Sequence, residues 1–309
     1  MVRITTDIFS GRPNPTYLAE ADEATELLTQ ISQNKSAISG LHEGFQDLGY
    51  RGLIVEVLSD TAAVKLDLPS AFRIAGVAHP KGQEIAERIF SSMKKTQVLD
   101  DKLHTMLTEQ LRQLSARTPA LSAVETSEGD AGGGPSGAPP TAIVPPAGTA
   151  PAAAMQAPGA VCFIELGKFN PGFWNDPAHI SHNNCYNYAS NRRTDTFAQP
   201  GRGSGHVWSA LTCPAVTTAA LSDGLHHRYT CFPDSQKPRW LMALVMAPGM
   251  DYHWYRKQQE GFWGHKPGGT AARNYDNNGH VVWNPETAAR GIYTQFCGYF
   301  YACKAQKIN

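Results

Sequence analysis

The middle of this 309-residue chain holds a stretch that cannot build a core. From Ala131 to Ala160, 23 of 30 residues are Ala, Pro or Gly, and none is charged or aromatic. Such a segment buries too little apolar surface to offset its ordering entropy. Its Pro139-Pro140 and Pro145-Pro146 pairs favour extended, polyproline-like backbone. A loop of this length inside one domain is uncommon, so residues 118–160 are expected to form a disordered linker. All six Trp, all six Cys, nine of eleven Tyr and eight of eleven His follow residue 160. The chain therefore reads as two unlike halves.

The N-terminal part, residues 1–117, reads as a small α+β domain. Val2–Ile8 alternates as a strand does, and Ser10-Gly11-Arg12-Pro13-Asn14-Pro15 is a dense turn signal. A helix over Glu20–Ile31 places Ala24, Leu27, Leu28 and Ile31 on one face. Strands over 52–58 and 71–77 and helices over 83–94 and 97–116 complete it. Its three histidines are scattered, so its expected role is targeting, docking or structure, with a protein partner. The C-terminal part, 161–309, is expected to be a second α+β domain. Its helical material comes first (182–191, 213–221), after Asp176-Pro177 as a helix start. An antiparallel sheet follows, from strands at 161–166, 240–247, 251–258, 261–266, 279–283 and 298–303.

With 27 basic and 27 acidic side chains the net charge is zero, which argues against nucleic acid or an anionic membrane as partner. No apolar run reaches the length of a membrane span. The first thirty residues carry Asp7, Glu20, Asp22, Glu23 and Glu26 and no apolar core, so no secretory signal is expected there. Localisation is expected to be cytoplasmic, or exported without a recognisable signal, as six clustered cysteines would suit.

The chemistry-bearing residues converge on one pattern. Cys185, in Asn183-Asn184-Cys185-Tyr186-Asn187-Tyr188-Ala189, sits at a helix opening, where the dipole favours thiolate. A nucleophilic thiol needs a base and a group to orient it. His253 lies on a strand after Ala247-Pro248-Gly249, and Asn274 and Asp276 follow in a loop. This order resembles the papain-like cysteine hydrolase superfamily. Asn184-Cys185-Tyr186-Asn187-Tyr188-Ala189 is similar to the helix start of the CHAP and NlpC/P60 amidohydrolases. The resemblance spans about 100 residues, 176–283, and implies a papain-like fold for the C-terminal domain. It also implies cleavage of a peptide, isopeptide or cell-wall-type amide bond, without a cofactor, on a peptide or peptidoglycan-like substrate. In that reading Cys185 is the nucleophile, His253 the base, and Asn274 or Asp276 the orienting group. Asn184 and His179 would serve the oxyanion, and His265, with Asp276 or Asn277, is the reserve base.

Three further readings stay open. Trp254, Trp263 and Tyr255 of the aromatic hairpin line a substrate groove or fill the core. The cysteines are structural in a non-catalytic peptide- or glycan-binding module, with fifteen possible pairings. Or His179, His182 and Cys185, aided by His226-His227, hold zinc in a zinc-dependent hydrolase.

Overall fold

A computed structural model describes residues 1–41, 43–116, 141–143, 162–227 and 232–309. The chain forms two compact units of mixed α+β structure, each around an antiparallel sheet. The expected linker, 118–160, lies outside the described residues except for Thr141–Ile143. Those three residues form strand β6, paired antiparallel with β7 (Cys162–Ile164).

The first unit holds β1 (Val2–Asp7), β2 (Thr16–Ala19), β3 (Ile38–Ser39), β4 (Gly52–Val57) and β5 (Ala71–Ile74), in the order β2-β1-β4-β5-β3. Four helices accompany the sheet: α1 (Ala21–Ser32), α2 (Asp60–Leu66), α3 (Pro80–Lys95) and α4 (Asp101–Ala116). α3 opens with the His79 ring accepting from Gly82 N–H and Pro80 in its first turn, and it buries Ile85, Ile89, Phe90 and Met93. Asp7 is buried between Arg51 (2.6 Å) and Arg73 (3.0 Å). Burial pushes its carboxyl up, but the two guanidinium groups outweigh that and hold it below the ordinary value.

The second unit comprises residues 8–14, 46–49 and 140–309. Here the structure departs from the sequence boundaries, because two short N-terminal segments cluster with the later sheet. That sheet runs β11-β10-β9-β12-β8, built from β8 (His226–His227), β9 (Trp240–Ala247), β10 (Asp251–Lys257), β11 (Trp263–His265) and β12 (Gln295–Ala302). The stretch 279–283, expected as a strand, forms none: it carries an isolated bridge from Val281 to Tyr275 and single backbone bonds at Val282. The helices are α5 (Pro171–Trp174), α6 (Cys185–Ala189) and α7 (Cys213–Ser222). Asp176-Pro177 opens no long α-helix: a turn leads into a single 3-10 turn, Ile180–His182, and Asn184 then caps α6.

Strand alternation divides this unit into two cores. Met242, Leu244 and Met246 of β9, with Tyr252 and Trp254 of β10, pack under α6 and α7. Ala243, Val245 and Ala247, with Tyr255, pack on the opposite face with Cys162, Ile164, Phe232, Trp263 and Tyr293. A sheet buried on both faces reads as a continuous apolar run rather than an alternating one, as in Leu241–Ala247. Between Phe296 and Gly298 the β9–β12 register shifts. The extra residue there is Cys297, and it forms a disulfide with Cys213 at the start of α7.

Candidate functional site

The thiol and the imidazole singled out by sequence sit on two neighbouring elements, α6 and β10. Asn184 caps α6: its Oδ1 accepts from Tyr186 and Asn187 N–H, and Asn187 returns a bond to Asn184 N–H. This capping box explains why so short a helix starts there. The other end of the Asn184 amide donates to the carbonyls of Gly11 (2.8 Å) and Ala198 (2.7 Å). All its hydrogen-bonding capacity is used inside the fold, so it is not an oxyanion donor.

Cys185 is fully buried in the core beneath α6, with Sγ 4.0 Å from the Tyr252 carbonyl oxygen. Burial, and next the Asp251 carboxylate, push its thiol well above the ordinary value. The helix start therefore does not yield a thiolate; five residues of α6 in an apolar core cannot offset the lost hydration. His253 is one residue along β10 from Tyr252, and successive strand side chains point to opposite faces. Its ring packs with Tyr255 (4.8 Å) and Tyr293 (5.6 Å) in the other core. The sheet itself lies between Cys185 and His253, and the pair forms no dyad. We expect Cys185 to resist iodoacetamide at neutral pH and to react only once denatured; mass spectrometry of the labelled peptides checks this.

His253 instead meets His265, the reserve base, on β11. His265 Nε2 lies 2.9 Å from the Tyr275 carbonyl, which can only accept, so that nitrogen carries the hydrogen. Its Nδ1 is then an acceptor, and His253 Nε2–H donates to it across 2.9 Å. Burial, with Arg273 nearby, drives the His265 pKa well below the ordinary 6.5. The folded pKa is lowered, so His265 contributes full stability above 6.5. That contribution is lost as pH falls from there towards the folded value, because the unfolded chain takes the proton first. Unfolding free energies from urea titrations are expected to fall from pH 7.5 down to 4.5, by up to about 1.4 kcal/mol per pH unit for this one group. His265→Asn should flatten that slope by one proton.

The remaining predicted residues are structural. Asp276 accepts from the N–H groups of Asn278, His280 and Ala289, a turn hub rather than an orienting carboxylate. Asn274 contributes its backbone carbonyl to Val282 N–H. Asn277 clasps Leu48 by both backbone groups (2.6 and 3.2 Å). His179 Nδ1 lies 2.8 Å from Asp195 at a half-exposed position. Trp254, Trp263 and Tyr255 are 0%, 4% and 0% exposed, so they fill the cores and line no groove. The zinc set does not assemble: Cys185 points into apolar core, and among the described residues no three His, Cys, Asp or Glu groups converge as a metal site. Cys231 and His42 lie outside the described residues.

Sequence reasoning missed the polar centre of this unit. Asp251 is fully buried and accepts from the N–H groups of Ser10 (2.6 Å), Gly11 (3.2 Å) and Arg12 (3.1 Å), and from Tyr293 Oη (2.6 Å). Three successive N–H groups converging on one carboxylate form an anion nest. Gly11 presents its carbonyl to Asn184, Gln199 and Tyr252. Any Cβ at Gly11 would meet the Tyr252 ring at 2.3 Å, so only glycine fits. Buried Lys266 donates to the carbonyls of Ile180, Asn183 and Gly268, bracing the approach to α6. The dense turn signal at 10–15 marked the loop, but nothing local showed that its partner lay 240 residues away.

A comparison with known proteins decides between the readings. Over 142 residues, 46% of its length, the chain is 43% identical to insoluble matrix shell protein 1 of Ruditapes philippinarum, and it covers 94% of that protein. The chain belongs to the insoluble matrix shell protein 1 family. No family model matches the chain, and no solved structure matches it. This kinship overturns the hydrolase, thiol-protease and amidase expectation, because the relative is a matrix protein of shell. The geometry agrees, with the would-be nucleophile protonated, sealed and separated from its base by a sheet. The non-catalytic reading with structural cysteines fits better. Cys213–Cys297 is a disulfide and Cys162 is also disulfide-bonded, while Cys185 and Cys303 are free and buried. Among the described residues no helix is long and apolar enough to cross a membrane.

Proposed function

We propose that this chain is a non-catalytic structural component of an insoluble extracellular matrix. The observation that carries it is the 43% identity over nearly the whole of a shell matrix protein. Two features of the second unit support it. The buried polar groups of the Asp251 nest, the Asn184 cap and the Lys266 brace are spent internally, which suits a rigid building block. Its disulfides suit an oxidising, extracellular compartment, so the exported alternative fits this reading. The papain-like likeness enters as topology alone: a Cys-bearing helix packed on an antiparallel sheet supports that scaffold, carried here without its chemistry.

Fractionation tests the proposal. In the tissue that makes it, the chain should remain in the residue left after demineralisation and detergent extraction. Denaturant with reductant should then release it, as seen by immunoblotting. Recovery in the cytosolic extract would overturn the reading.

A further inference from the structure

The aromatic residues that the sequence placed in a groove are buried, yet the turn of the same hairpin carries a half-buried ring, Phe262, that meets aromatics from outside the hairpin. Phe262, at the turn between β10 and β11, stands edge-to-face with Phe169 (5.5 Å between centroids) and with Trp283 (6.2 Å). Trp283 is 62% exposed, the most exposed large apolar side chain among the described residues of the second unit. Trp283 thus faces solvent while Phe262 and Phe169 are half-buried behind it, a ring cluster with one open member. The ridge is braced from below, since Phe169 also packs against the Trp174, Tyr188 and Ala272 cluster.

Its surroundings define the ligand. Glu260 accepts from Phe169 N–H, and Lys257 donates to the Gly261 carbonyl, so the two charges of the hairpin turn serve backbone groups. At one end Asn170 turns its Oδ1 to Phe173 N–H. At the other, Asn284 accepts at Oδ1 from Glu286 N–H, while the Tyr299 hydroxyl donates its one hydrogen to the Glu286 carboxylate (2.7 Å). Both amides thereby keep their NH2 donors for something else. An extended peptide adding a strand beside the ridge is disfavoured, because the outer edge of β11 is already paired: Trp263 N–H with Val282 and His265 N–H with Arg273. Apolar ring faces flanked by neutral amide donors match a sugar ring, which offers C–H faces and hydroxyl acceptors without charge.

We propose that Phe169, Phe262 and Trp283, flanked by Asn170 and Asn284, form a binding ridge for a neutral polysaccharide. The proposal rests on the matrix reading and names the polymer class that the building block would hold. It is tested with the full chain by depletion from suspensions of microcrystalline cellulose and of chitin, and on gelatin beads. The expected result is saturable binding to at least one polysaccharide, weakened tenfold or more in Trp283→Ala and Phe262→Ala. Trp283→Tyr should retain binding, with thermal melts of all variants matching the parent. No depletion by either polysaccharide, an unchanged isotherm for Trp283→Ala, or Trp283-dependent capture by gelatin alone would each overturn it. If the ridge fails while the chain still fractionates with the insoluble residue, the matrix reading stands. Cytosolic recovery of a chain that still binds the polymer would remove the matrix reading and leave the ridge.

Discussion

Replacing Asp251 with alanine is expected to destabilise the second unit by about 4 kcal/mol, among the largest losses available to a single substitution in this chain. The reason is asymmetry. Burial raises the Asp251 carboxyl above its ordinary value, and bonds from Tyr293 and from the Ser10 and Gly11 N–H groups pull it back. The group itself is thus held at a desolvation cost. Its removal is worse, because four donors that point at it would be left dry, at roughly 1–3 kcal/mol each before relaxation. Asp251→Asn keeps one acceptor but sets an NH2 among N–H donors, so it should lose less than alanine. Chemical denaturation of the full chain checks both. A midpoint within about 0.5 kcal/mol of the parent for Asp251→Ala would mean that residues 8–14 do not dock on β10 as described.

The second large effect is expected at the Cys213–Cys297 disulfide. Its cysteines are 84 residues apart, and in the loop-closure account a crosslink over such a span contributes about 4.5 kcal/mol by restricting the unfolded chain. It ties the first turn of α7 to the bulge in β12, so it also fixes the helix layer over the Met242, Leu244 and Met246 face. The Cys213→Ala, Cys297→Ala double variant should therefore melt well below the non-reduced parent, with further loss in reductant coming only from the Cys162 disulfide. An equal melting temperature for the two proteins would show that the bond carries no stability.

These two features differ in how far they could be read beforehand. Cysteine content left crosslinks as one open reading, but six cysteines allow fifteen pairings, and only the fold brings Cys213 to Cys297. The Asp251 nest had half a signal. Ser10-Gly11-Arg12-Pro13-Asn14 reads as a turn, while Asp251 looks like any strand-opening acid after a Pro-Gly turn. Their meeting is a long-range event that no local pattern encodes.

What the sequence by itself determined is local and periodic. Alternation and capping residues placed β1, α1, α7, β9 and β10 close to where they fall, and Asn184 before Cys185 was legible as a helix start. The mixed α+β class and the antiparallel later sheet follow from those patterns. Only the tertiary structure decided the chemistry. Whether Cys185 is a nucleophile depends on which face of β10 its helix covers. A single step along a strand, from Tyr252 to His253, moves a side chain to the other side of the sheet. Burial then settles the rest. It keeps the thiol protonated, encloses Trp254, Trp263 and Tyr255, and leaves Trp283 in the open. Spacing along the chain sets the order of these residues, but two packed cores on either side of one sheet set what each of them can touch.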